Sequence, residues 1–212
     1  MNDAQTGVVV VGGGNAALVA ALSAREHGAQ VILLESAGES ERGGNSHYSG
    51  GIFRTCHDGL ASLDPLICED SRSWVERVSV EPYRPDDYLR DWLRVTDGRA
   101  NRELLDTVIE NSFETVVWMK RLGVQWELGV GKLFDDSKLG EDVKIVLPPG
   151  GALRARHEGV GLVNHLYRAA EEMGVEIWYE SPAIKLITSG PTAIVRLPQL
   201  PDQSTDGSSI PT

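Results

Sequence analysis

Residues 7–35 read GVVVVGGGNAALVAALSAREHGAQVILLE and constrain the fold more than any other stretch. Val8, Val9, Val10 and Val11 are four β-branched residues in a row, enough for a buried parallel strand. Gly12, Gly13 and Gly14 follow at once. An Ala- and Leu-rich run predicts a helix over 15–27, with Gly28 where a left-handed residue closes a helix. Residues 31–34 predict a second buried strand, ended by Glu35. Strand, glycine turn, helix and strand in about thirty residues form the unit that holds a dinucleotide in a parallel α/β sheet.

Each residue type has a physical task in such a unit. Gly12 permits the tight turn out of the strand, and Gly14 lets a pyrophosphate approach the backbone. The unpaired first-turn amides and the helix dipole then favour that anion. Ala17 takes the third motif position, where helix and strand pack closely. Glu35 follows Gly14 by 21 residues, where a carboxylate can accept from both hydroxyls of an adenosine ribose. A 2′-phosphate would meet a like charge there, which disfavours NADP. Three adjacent glycines cost roughly 1 kcal/mol of backbone entropy each, and a plain turn gives no reason to bear that cost.

Composition narrows the class. The 212 residues suffice for one large domain, or one domain with a small lobe, and 41% hydrophobic content is enough for a core. A formal charge of −11 argues against nucleic acid and anionic membrane surfaces as partners. Cys56 and Cys68 form no metal spacing and are expected to be free thiols. The N-terminal residues lack the pattern of a signal peptide, and no apolar run reaches the length of a membrane span. A soluble, cytoplasmic protein is expected.

After Glu35 the chain reads SAGESERGGNSHYSGG, polar and rich in glycine. It leaves the carboxyl end of a core strand, where ligands of open α/β sheets bind. The glycine-helix unit followed by RGGNSHYSGG resembles the flavoprotein family of fumarate reductases, tricarballylate dehydrogenases and 3-ketosteroid dehydrogenases. The resemblance covers residues 7–188, an N-terminal portion of that family. It implies an α/β fold: a Rossmann-like FAD-binding parallel sheet with a helical insert, incomplete at the C-terminus. The implied FAD contacts are Gly12, Gly14, Asn15, Ala16, Glu35, Ser36, Gly43, Gly44, Asn45, Ser46, Ser49, Gly50 and Gly51. Ala183, near the adenine, completes them. Covalent relatives attach flavin through the histidine of an S-H-T run. Here the run is Ser46–His47–Tyr48 with a shorter spacing to Gly50, so non-covalent FAD is expected.

The resemblance also implies segments: 1–60 for the FAD-binding unit and flavin loop, 61–150 for a mainly helical insert, and 151–188 for the return to the FAD domain. In the insert, Pro85 at a helix start and Asn101 as an N-cap predict two helices, stopped near Gly98 and Gly123. A short helix near Trp74 and strands over 124–127, 143–147, 175–179 and 182–188 are also expected. A helix over 159–173 ends at Gly174. Trp92, Trp118 and Trp126 lie among apolar residues and are expected in the core. His57 and Asp58 could face a flavin, although a loop histidine is more often solvated. Residues 189–212 read as a disordered tail foreign to the family.

The resemblance implies hydride exchange at a CH–CH bond beside a carbonyl or carboxylate, on a small polycarboxylate or a steroid-like ketone. No metal site is expected, and no catalytic residue can be named. The chain alone is expected to lack turnover, as a truncation or shifted reading frame would leave it. Two other readings stay open, a non-catalytic nucleotide-binding fragment and an NAD-dependent enzyme built on the same unit.

Overall fold

A computed structural model describes residues 6–130, 143–189 and 192–197. Val8–Val11 (β1), Asn15–Glu26 (α1) and Val31–Leu34 (β2) form the expected strand–helix–strand unit, with β1 and β2 parallel and Val8 opposite Val31. Gly28 closes the helix at φ +83°. β2 is buried throughout, but Val9 and Val11 of β1 are exposed, because β1 is the edge of the described sheet.

The loop after β2 is more helical than its composition predicts. A 3-10 turn spans Glu39–Glu41, and one α-helical turn, Gly44–His47 (α2), precedes Ile52–Phe53 (β3). The insert continues with Leu60–Leu63 (α3), a 3-10 turn at Asp64–Leu66, another over Glu69–Arg77 where an α-helix is expected, and Val78–Val80 (β4). Pro85–Val95 (α4) begins with proline at N1 and the Asp87 carboxylate accepting from Arg84 N at 3.0 Å. Arg102–Arg121 (α5) is capped by Asn101 Oδ1, which accepts from Leu104 N at 3.0 Å, and has Lys120 and Arg121 in its last turn.

Next come Trp126–Leu128 (β5), Ile145–Leu147 (β6) and Leu153–Ala155 (β7). β7 lies between β3 and β5, antiparallel to both, and β4 pairs with β6. Trp126 is fully buried with its indole N–H on Val116 O at 2.9 Å. Trp118 is half-buried against the core, but Trp92 is exposed, contrary to the core expected of all three.

Glu158–Glu172 (α6) and Glu176–Trp178 (β8) return the chain to the first sheet, in the order β1-β2-β8, all parallel. Lys185–Ser189 (β9) and Thr192–Arg196 (β10) then pair antiparallel, with Ile187 opposite Ile194. Residues 192–196 are therefore a strand, where composition predicts an irregular tail. Cross-strand pairing supplies the order that a Pro- and Ser-rich window hides. Residues 190, 191 and 198–212 of that expected tail lie outside the described residues. Among the described residues, no helix is long and apolar enough to cross a membrane.

The core joins α1, β2 and α6 through Leu18, Leu22, Leu33, Val163 and Leu166. The start of α6 also presses on the glycine-rich loop at 43–51: Gly159 N donates to Ser49 O at 2.9 Å, and a Cβ at Gly159 would collide with the Ser46 carbonyl oxygen. Gly→Ala in a helix ordinarily gains about 0.5–1 kcal/mol. Gly159→Ala should instead lose about 1–3 kcal/mol through overpacking, read as a lower urea midpoint. Gly50→Ala is the control, since its Cβ meets nothing within 4 Å among the described residues and its φ is not positive. An equal or raised midpoint for Gly159→Ala would contradict the packing.

Candidate cofactor-binding site

The parallel strands all end on one edge of the first sheet, so Gly12, Glu35 and Tyr179 leave it together. Gly12 takes φ +103°, and its N–H donates to Leu34 O at 2.7 Å. Gly14 is the N-cap of α1, so no side chain at that position occupies the first-turn amides. The first of them, Asn15 N, donates to Ser46 Oγ at 2.9 Å. That bond joins the glycine helix to the loop 31 residues later. Ser49 Oγ donates to Ser46 O at 2.9 Å and accepts from Gly51 N at 3.3 Å, which fixes the rest of the loop.

A groove of about 710 Å³ opens at this junction, within the range of small-molecule sites. Of the residues expected to touch the cofactor, Asn15, Asn45, Ser46, Ser49 and Gly51 line it. Gly12, Gly14, Ala16, Glu35, Ser36, Gly43, Gly44, Gly50 and Ala183 do not line this groove. Gly12, Gly14, Glu35 and Ser36 cluster at the sheet edge, and Ser181 N donates to Glu35 O at 2.9 Å, two residues before Ala183. Two loop glycines have a packing reason of their own. Gly43 is at φ +102°, where a Cβ would meet Val163 at 2.7 Å, and Gly51 at φ +66° would meet the Glu158 backbone at 2.8 Å.

The far wall of the groove is α5, through Thr107, Val108, Asn111, Ser112, Thr115 and Val116. The sequence reading treats this helix as an apolar packing element and misses that wall. Its signal is there, in polar residues at 107, 111 and 115, one every four residues. Thr107, Asn111 and Thr115 each donate back to the carbonyl four residues earlier, at 2.8–3.0 Å. Arg54 lines this groove and a second cavity of about 400 Å³. There it donates to Tyr83 OH at 2.8 Å and pairs with Asp91 at 2.7 Å, and burial pushes the Tyr83 phenol up to about 12.

Glu35 is buried, and its carboxylate is already well supplied. Oε1 accepts from Ala37 N at 2.9 Å and Ser36 Oγ at 3.2 Å, and Oε2 accepts from Tyr167 OH at 3.4 Å. An ionised carboxylate offers about four acceptor positions. About one therefore remains, fewer than the two that a ribose would use in the sequence reading. Burial and the adjacent carboxylate raise the Tyr167 phenol, which keeps it a proton donor.

The groove suits FAD by its own features. Asn15 Oδ1, on one wall, is buried without a hydrogen-bond partner among the described residues. Polar groups line two walls. His57 does not line the groove. Its Nδ1 accepts from Gly59 N at 3.1 Å, and Nε2 faces Pro149 O at 3.0 Å, which requires the Nε2–H tautomer. It is a buried structural histidine. No group of three or more metal-ligating side chains occurs among the described residues.

Burial lowers the His57 imidazolium pKa. The unfolded chain therefore binds a proton near pH 6.5 that the folded chain refuses. The resulting stability is fully present above that pH and declines as pH falls toward the lowered folded value. His57→Gln should flatten this part of the urea midpoint against pH. His165 is lowered too and remains in both proteins. Identical slopes would remove His57 as the cause.

Comparison with known proteins identifies the family. The chain is 31% identical over 182 residues to a vinyl phenol reductase of Lactiplantibacillus plantarum, covering 84% of this chain and 30% of that protein. It is 26% identical over 193 residues to a probable fumarate reductase of Shewanella frigidimarina, covering 90% and 28%. The chain thus spans under a third of either relative. The open conformation of a flavocytochrome c3 fumarate reductase superposes with a TM-score of 0.62 at 22% identity, over 90% of this chain and 30% of that one. The match to the FAD binding domain family runs over residues 7–206, so residues 189–206 are not the foreign tail expected from sequence, and the chain belongs to that family.

Proposed function

We propose that this chain forms the FAD-binding part of a flavin-dependent oxidoreductase that exchanges hydride at a CH–CH bond beside a carbonyl or carboxylate. The Asn15–Ser46 hydrogen bond carries the reading, because it sets the helix start and the flavin loop on one groove at the carboxyl edge of the sheet. The FAD contacts proposed are the fourteen residues expected from sequence, extended by the α5 wall. Bound flavin would supply the hydride chemistry, and this chain supplies binding and orientation. The names of the relatives, a vinyl phenol reductase and a fumarate reductase, support reduction of a carbon–carbon double bond. A small polycarboxylate or a steroid-like ketone is the proposed substrate class. A cytoplasmic site of action fits the two free cysteines, Cys56 and Cys68.

The decisive experiment is the visible spectrum of the purified chain, with the mass of whatever it releases. Flavin bands and a released mass of FAD are expected, and acid precipitation should leave the pellet colourless, since attachment is non-covalent. NAD, or no nucleotide after incubation with FAD, would overturn the reading. A yellow acid pellet would instead point to His47.

Glu35→Gln should weaken FAD binding by about 10-fold or more, the worth of a hydrogen bond to a charged acceptor. Glu35→Arg should weaken it further. Fluorescence quenching on titration of the apo-protein measures both, and wild-type affinity in both variants would remove Glu35 from the site.

A further inference from the structure

We infer that Tyr167, steadied by Arg42, positions the Glu35 carboxylate for the adenosine ribose of FAD. The inference rests on the FAD reading and deepens it. Tyr167 is fully buried on α6, 132 residues from Glu35, and its hydroxyl reaches Oε2 at 3.4 Å. Nothing in residues 7–35 announces this partner.

Three observations meet at the pair. A Cβ on Gly13 would collide with both the Tyr167 hydroxyl and the Glu35 carboxylate. The dinucleotide turn itself leaves this middle position free in identity. Glycine is needed here to let the phenol and the carboxylate meet over the backbone. Arg42, from the loop after β2, lays its guanidinium 4.1 Å from the centroid of the Tyr167 ring. It also donates to Tyr179 OH at 2.6 Å, and reaches Glu171 at 3.4 Å and Glu39 at 3.6 Å. The Tyr167 and Tyr179 rings stack with centroids 6.3 Å apart. Four elements, β2, the loop, α6 and the end of β8, therefore fix one carboxylate.

The consequence is chemical. Tyr167 occupies one lone pair of Oε2 while Ala37 N and Ser36 Oγ occupy Oε1. The open acceptor position is thereby held in one direction, and an aimed acceptor loses less entropy when a ribose hydroxyl arrives. Tyr167 is a positioning residue, and the ribose touches Glu35.

The test is a double-mutant cycle between protein and ligand. Wild type, Tyr167→Phe and Arg42→Gln are titrated with FAD and with its 2′,3′-dideoxyadenosine analogue, which keeps every atom except the ribose hydroxyl oxygens. Wild type should prefer FAD by about 10-fold or more. Tyr167→Phe, which keeps the ring, should shrink that preference at least about threefold while its affinity for the analogue stays within about twofold of wild type. Arg42→Gln should act in the same direction, and it serves alone if Tyr167→Phe does not fold. An equal loss toward both ligands would mark Tyr167 as a packing residue and overturn the inference. An unchanged preference overturns it too. Wild type that binds FAD but does not discriminate would remove the ribose from Glu35. Wild type that binds neither ligand would instead overturn the FAD reading on which the inference stands.

Discussion

The hydrogen bond from Asn15 N to Ser46 Oγ is the junction on which the site depends. It ties the start of α1 to the loop that would carry the flavin. Ser46 sits in a single turn of helix, which few contacts of its own would hold. The loop holds its shape because α6 supports it from behind. Gly159 N bonds Ser49 O, Gly43 admits Val163, and Gly51 admits the Glu158 backbone. The order runs from the buried face of α6, through the loop, to the amide of Asn15.

That dependence has a conformational cost in plain view. His157 and Glu158 both take positive φ, +61° and +60°, at the entrance to α6. Non-glycine residues avoid that region, and such strain persists where surrounding contacts over-determine it. Here the contacts are the close approach of Gly51 to Glu158 and the ion pairing of Arg154 with Glu127 and Glu158. The strained entry packs against the loop at 43–51, where a displaced backbone would shift the groove.

The groove also gives α5 a second role beside its part in the core. α5 presents an apolar side to the core through Ile109, Val116 and Met119, and Thr107, Asn111 and Thr115 to the groove. With both hydroxyl donors and one Asn111 N–H turned back onto the helix, these side chains keep acceptor capacity toward a ligand. One element thus closes the core and forms a wall of the groove.

Much of this was legible locally. Val8–Val11, the three glycines and Glu35 announce strand, turn and acid by composition and spacing, and Pro85, Asn101, Gly123 and Gly174 mark helix ends through dihedral and capping preferences set by near neighbours. Tertiary contacts decided the rest, because their partners lie far apart in the chain. Composition placed an irregular tail where β10 forms, since a strand is defined by the ladder it joins. His57 became a structural residue once Pro149, 92 residues away, received its N–H. Glu35 was visible as the acid, but the direction of its carboxylate came from Tyr167, 132 residues further on. Sequence periodicity reports which face a residue takes within its own element, and only the packing of distant elements determines what that face meets.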